Sequence, residues 1–124
     1  MNVISTDKAP AAIGPYSQAI SCGDLLFTSG QIPLNPTTGE VEGTDITAQA
    51  HMALKNLTEV VKAAGTTMDK VIKTTCFLAD MADFATFNSI YTDYLPGKPA
   101  RSCVAVKQLP KGVLVEVEAI VSLK

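Results

Sequence analysis

Two carboxylates, one guanidinium and one thiol stand close together near the end of the chain. Arg101 and Cys103 lie two residues apart, as do Glu116 and Glu118. A guanidinium can grip a carboxylate through two parallel hydrogen bonds. A carboxylate can take a proton from water and hand it to a leaving group, and a thiol beside a cation can lose its proton early. The plainer alternative is an exposed cross-strand Arg–Glu pair worth ~0.2–1 kcal/mol. For Cys103, with no histidine base in its pattern, the plainer alternative is a small packing residue. The sole histidine, His51, has no Cys, Asp or Glu at ligand spacing, so it suits a structural side chain better than a metal ligand.

Alternation and periodicity supply the elements that must position these groups. From Val113 to Leu123, Val113, Val115, Val117, Ala119, Val121 and Leu123 share one face of a strand, and Leu114, Glu116, Glu118, Ile120 and Ser122 share the other. Arg101 to Val106 reads as the preceding strand. A hairpin with Val106 opposite Val113 would set Cys103 across from Glu116 and Arg101 across from Glu118. That register aligns the apolar faces and gathers the four chemical groups on the other side. Leu114 and Ile120 beside them suggest that this side is covered by a second copy of the chain.

Upstream, Asn2–Ser5 suits a short edge strand, and Ser17–Cys22 and Leu25–Ser29 flank a two-residue turn at Gly23-Asp24. Ile46, Ala50, Ala53, Leu54, Leu57, Val61 and Ala64 form the stripe of an amphipathic helix, with Thr44 or Asp45 as N-cap and Gly65 as the left-handed terminator. Val71–Leu78 is a buried strand. A second helix opens at Asp80 or Asp83, carries Phe84, Phe87, Tyr91 and Leu95 on one face, and stops at Pro96-Gly97. The order βββαβαββ predicts an α+β fold with a mixed sheet and two helices on one face.

Composition narrows the function classes. The 124 residues fit one domain, and 47% hydrophobic with 18% charged residues excludes intrinsic disorder. Ten basic against twelve acidic residues, with the lysines scattered, argue against a nucleic-acid partner. Three cysteines far apart argue against a disulfide framework and for a reducing compartment. No apolar run reaches the ~18 residues of a membrane span, and the first residues lack the pattern of a signal peptide, so a cytoplasmic protein is expected. A mean hydropathy of +0.22 is high for a small monomer and again points to self-association.

Several stretches together resemble the RidA family, also called the YjgF-type or reactive intermediate deaminase family. They are Ala9-Pro10-Ala11-Ala12-Ile13-Gly14-Pro15-Tyr16-Ser17, Thr28-Ser29-Gly30-Gln31-Ile32-Pro33, and Ala79-Asp80-Met81 with Phe84 and Asn88. The later ones are Pro99-Ala100-Arg101-Ser102-Cys103-Val104, Leu109-Pro110 and Val115-Glu116-Val117-Glu118-Ala119. Ala105 departs from the family pattern, where many relatives carry an acidic residue. The resemblance implies a chorismate-mutase-like fold over residues 1–124, assembled as a homotrimer with sites in the clefts between subunits.

It also implies a cofactor-free, metal-free hydrolase that converts 2-iminobutanoate or 2-iminopropanoate, formed from enamines released by PLP-dependent dehydratases, to the 2-keto acid and ammonia. In such proteins the position of Arg101 clamps the substrate carboxylate and that of Glu116 orients the attacking water. Tyr16, Ser29, Gly30, Asn88 and Cys103 match positions lining the same pocket, with Cys103 expected to act through its backbone N–H. Two other functions compete: a keto-acid-binding regulatory module, and an RNA-cleaving or translation-inhibiting protein. The first would keep Arg101 without needing Glu116. Acidic pI and a single histidine speak against the second.

Overall fold

The computed structural model describes residues 1–124. Its strands are β1 (Asn2–Ile4), β2 (Ala19–Cys22), β3 (Leu25–Thr28), β4 (Val71–Leu78), β5 (Ala100–Ala105) and β6 (Val115–Ser122). The helices are α1 (Ile46–Ala63) between β3 and β4, and α2 (Phe84–Tyr94) between β4 and β5. The expected α+β order is therefore present. Asp45 caps α1 by accepting a hydrogen bond from the Ala48 N–H at 2.9 Å, and Gly65 follows the helix with φ +84°. Gly23, at φ +58°, opens the two-residue turn that joins β2 to β3 in register Cys22–Leu25.

The six strands make one sheet in the order β1-β2-β3-β6-β4-β5, with β4 and β5 parallel and every other pair antiparallel. One face is covered by the helices. Val115, Val117, Ala119 and Val121 of β6 meet Leu54, Leu57, Val60 and Val61 of α1 in the core, with Leu26, Leu78 and Phe87. Each of these Val, Leu and Phe side chains contributes roughly 1.5–3 kcal/mol on leaving water. The other face carries no helix. Phe27 and Val104 are exposed there, with Phe77, Glu116, Glu118 and Ile120 half-buried beside them. No helix is long and apolar enough to cross a membrane.

The predicted hairpin between the last two strands does not form. β4 stands between them: Thr74 pairs with Arg101 on one side and Ala119 on the other, and Cys76 pairs with Cys103 and Val117. Glu116 and Glu118 face Phe77 and Thr75 instead of Cys103 and Arg101. The reason lies in the chain order. β4 and β5 are joined by a helix, and such a crossover returns the chain parallel to the strand it left. The parallel register also reverses the faces of β5. Arg101 and Cys103 share the helix-covered face with buried Thr74 and Cys76, whereas Ser102 and Val104 lie on the open one.

Candidate functional site

Glu116 lies near the start of β6 on its open face, just past the point where the β3–β6 ladder is interrupted. Leu26 pairs with Val121 and Phe27 with Ile120, the Thr28 hydroxyl accepts from the Ala119 N–H at 3.0 Å, and pairing resumes between Gln31 and Val117. Ser29 and Gly30 thus stand across from the single residue Glu118, one residue in excess, as in a β-bulge. The bulge presses the Gly30 backbone against Glu116. A Cβ on Gly30 would lie 1.9 Å from Glu116 Oε2 and 2.9 Å from its Cγ, so only glycine leaves room for the carboxylate.

A buried amide fixes the opposite wall. Gln18, 4% exposed, accepts from the Thr6 N–H at 2.7 Å and donates to the carbonyls of Thr6 at 3.0 Å and Pro10 at 2.8 Å. Its own carbonyl accepts from the Ser29 N–H, and the Ser29 hydroxyl donates to the Ser17 carbonyl at 2.6 Å. These bonds hold the proline-rich loop over the bulge and leave Tyr16 half out in solvent at its rim. Between them opens a cavity of about 540 Å³ lined by Pro10, Ala11, Ile13, Tyr16, Gln18, Ser29, Gly30, Gln31, Ile32, Leu34, Pro110, Lys111 and Glu116. Its size suits a small-molecule ligand.

Within this largely apolar enclosure Glu116 has no salt-bridge partner. Burial, and then the neighbouring charge of Glu118, raise its carboxyl pKa above the ordinary value. That is the behaviour of a carboxylate ready to take up a proton.

The remaining predicted residues assemble elsewhere. Arg101 donates from Nη1 to Asn88 Oδ1 at 2.8 Å, and its guanidinium carbon lies 4.8 Å from the Tyr91 ring centroid and 5.5 Å from that of Phe84. Cys103 is on the same face of β5. Its thiol pKa is raised by burial, against a smaller lowering by Arg101. Cys76 beside it is pushed up to about 12, chiefly by burial. Both thiols are therefore protonated at neutral pH.

The structure thus brings together Tyr16, Ser29, Gly30 and Glu116 in one place, and Asn88, Arg101 and Cys103 in another. Two strand spacings of about 4.8 Å and three residues of about 3.4 Å put the Cα atoms of Arg101 and Glu116 roughly 14 Å apart, on opposite faces of the sheet. A single chain cannot bring them to one small substrate.

No group of His, Cys, Asp and Glu is placed to hold a metal ion. His51 is exposed on α1, with Nδ1 3.1 Å from the Tyr94 hydroxyl. Sequence reasoning missed Gln18, Ile32 and Lys111 in the cavity wall, and Phe84 and Tyr91 around Arg101. Gln18 and Lys111 carry no pattern of their own, whereas Ile32 falls within the family-like stretch Thr28–Pro33. The spacing of Phe84, Asn88 and Tyr91, at i, i+4 and i+7, does mark one helix face.

The sequence profile of the endoribonuclease L-PSP family matches residues 6–123. A RutC family protein of Sinorhizobium fredii is 53% identical over 97% of this chain and 96% of its own. The 2-iminobutanoate/2-iminopropanoate deaminase of Escherichia coli K12 is 50% identical over 94% of each chain. Among solved structures, E. coli TdcF with bound serine superimposes with a TM-score of 0.93 at 45% identity, over 98% of each chain.

Proposed function

Because the chain belongs to the RidA/YjgF (endoribonuclease L-PSP) family, we propose that it is a single-domain, cofactor-free hydrolase of small 2-imino acids, acting in clefts between the subunits of a homotrimer. The observation that carries this reading is the half-buried Glu116 carboxylate, unpaired and with a raised pKa, against a glycine that leaves it room.

In the proposed reaction a protonated 2-imino acid such as 2-iminobutanoate enters the cavity. Glu116 accepts a proton from water as the water oxygen bonds to the imine carbon, giving a carbinolamine. The proton passes to nitrogen, Glu116 takes the hydroxyl proton as the C–N bond breaks to give 2-keto acid and ammonia, and the ammonia carries that proton away as ammonium. The substrate carboxylate needs a cation in the same cleft. Arg101 of the same chain is on the wrong face, so a second copy supplies it by docking against the open side of the sheet. The apolar side chains exposed there, Phe27 and Val104, support that docking. Bidentate guanidinium contact then fixes the imine carbon near the water.

A keto-acid-binding regulator would need the arginine but has no use for an unpaired Glu116. RNA cleavage finds little support: the cavity has one cationic wall residue, Lys111, and His51 is bonded to Tyr94 on the helical side. The test couples threonine dehydratase to the protein and follows imine loss, with light scattering for mass. Accelerated hydrolysis by a particle of three chains is expected. A stable monomer, or no acceleration, overturns the reading.

A further inference from the structure

Arg101 sits in a cradle built from one face of α2, at the border of the core. Phe84, Asn88 and Tyr91 project from one face of α2 toward β5 and surround the guanidinium, which lies over the two rings and is bonded by the Asn88 amide oxygen. Tyr91 is itself held. Its hydroxyl is 2.7 Å from the Thr74 hydroxyl on β4, and its ring leans on Phe87 with centroids 5.6 Å apart. Thr74 is fully buried, and its hydroxyl also accepts from the Cys76 thiol at 3.8 Å. An arginine has five donors in a planar fork. Here Nη1 is engaged by Asn88 and the guanidinium lies over the two rings. No other protein acceptor takes the donors on Nε and Nη2.

We propose that the ring of Tyr91, assisted by Phe84, positions the Arg101 guanidinium, so that its unengaged edge meets a ligand carboxylate without reordering. The inference rests on the imino-acid reading for its ligand, but not for the cradle itself. A flexible arginine loses side-chain entropy when it closes on a carboxylate. One bonded to Asn88 and held over two rings has lost much of it during folding. The aromatic contribution of a cation–π contact corresponds to about 2- to 30-fold in binding.

The experiment compares wild type with Tyr91→Leu, Tyr91→Phe and Phe84→Leu, each checked by circular dichroism and light scattering. Calorimetry with 2-ketobutanoate, steady-state imine hydrolysis, and NMR of the Arg101 Nε–H in ligand-free protein are the readouts. Tyr91→Leu is expected to weaken keto-acid binding about 2- to 30-fold and to raise KM in step, with a smaller change in kcat. Loss of the ordered Arg101 Nε–H signal should accompany it. Tyr91→Phe keeps the ring and should stay within about threefold of wild type, and Phe84→Leu should fall between the two.

A folded Tyr91→Leu protein with wild-type KM and an ordered Arg101 would overturn the cradle. So would a Tyr91→Phe protein as defective as Tyr91→Leu. If Tyr91→Leu does not fold, the half-buried Phe84 decides: an unchanged KM and Nε–H signal in Phe84→Leu, with a fully defective Tyr91→Phe, reject the proposal. An ordered Arg101 in a wild-type protein that neither binds keto acid nor hydrolyses imine would sink the imino-acid reading and leave the cradle standing.

Discussion

Replacing Gly30 by alanine separates catalysis from stability at one atom. Gly30 is not among the glycines with positive φ, so the backbone accepts a Cβ without strain. Stiffening of the unfolded chain then adds about 0.4–1 kcal/mol of stability. The cost falls on Glu116. The new Cβ would sit 1.9 Å from Oε2, whereas van der Waals contact begins near 3.4 Å, so the carboxylate must retreat by at least about 1.5 Å. With Cγ also only 2.9 Å away, the whole side chain has to swing. A misplacement of about 1 Å can cost ~10²-fold in rate, and losing the proton acceptor altogether ~10²–10⁴-fold.

Gly30→Ala should therefore melt within a few degrees of wild type while imine hydrolysis falls by at least ~10²-fold. In the background of Glu116→Gln the same change should cost little more, since both act on one group. Thermal melts and the dehydratase-coupled assay on the two single variants and the double variant give all three numbers. Full activity in Gly30→Ala, or an equal additional loss on top of Glu116→Gln, would refute the argument that Gly30 exists to seat this carboxylate.

Glu116→Gln should retain the fold and keto-acid binding yet lose ~10²–10⁴-fold in turnover, whereas Glu118→Gln should lose far less. An acid whose folded pKa is raised stabilises the protein below its unfolded pKa and loses that contribution as pH rises through the folded one. Glu116→Gln is thus expected to melt at the same or a higher temperature at neutral pH, and a clearly lower melting temperature would contradict the burial argument. On the acid limb, kcat/KM should fall at a higher pH than an unperturbed glutamate would give. Glu118→Gln should move that limb to lower pH, because the Glu118 charge is the second cause of the shift after burial. Cys103→Ala should keep substantial activity. In timed alkylation followed by mass spectrometry, exposed Cys22 should react well before Cys76 and Cys103.

The elements were legible because each rests on local pattern: the stripe from Ile46 onward, the Asp45 cap, the Gly23-Asp24 turn and the alternation of β6. Strand pairing was not. Alternation fixes which residues of a strand share a face, but it does not say which strand lies next door. Pairing β5 with its sequence neighbour β6 was locally consistent and wrong. The strand–helix–strand order of β4, α2 and β5 held the contrary signal, since a helical connection favours a parallel pair. The error carried over to the site. The resemblance nominates Tyr16, Ser29, Gly30, Asn88, Arg101, Cys103 and Glu116 as a set, and the hairpin register puts Arg101 and Glu116 on one face of one chain. The fold divides the set between two faces of one sheet. The bulge at Ser29-Gly30 and the aromatic cradle of Arg101 depend on contacts between residues far apart in sequence, which no spacing rule reports.

The separation of Arg101 from Glu116 across the sheet has a genetic consequence. In the proposed trimer each cleft draws one residue from each of two chains, so a defective allele does not own its defect. Co-expressed chains, one lacking Arg101 and the other lacking Glu116, would assemble at random. About a quarter of their clefts would join an intact arginine to an intact glutamate. Two alleles that are each dead alone would then complement one another, while both lesions on the same allele would remain silent beside either. Heredity would in that case act on the pairing of gene copies, because the unit that does the chemistry is encoded by no single molecule of the protein.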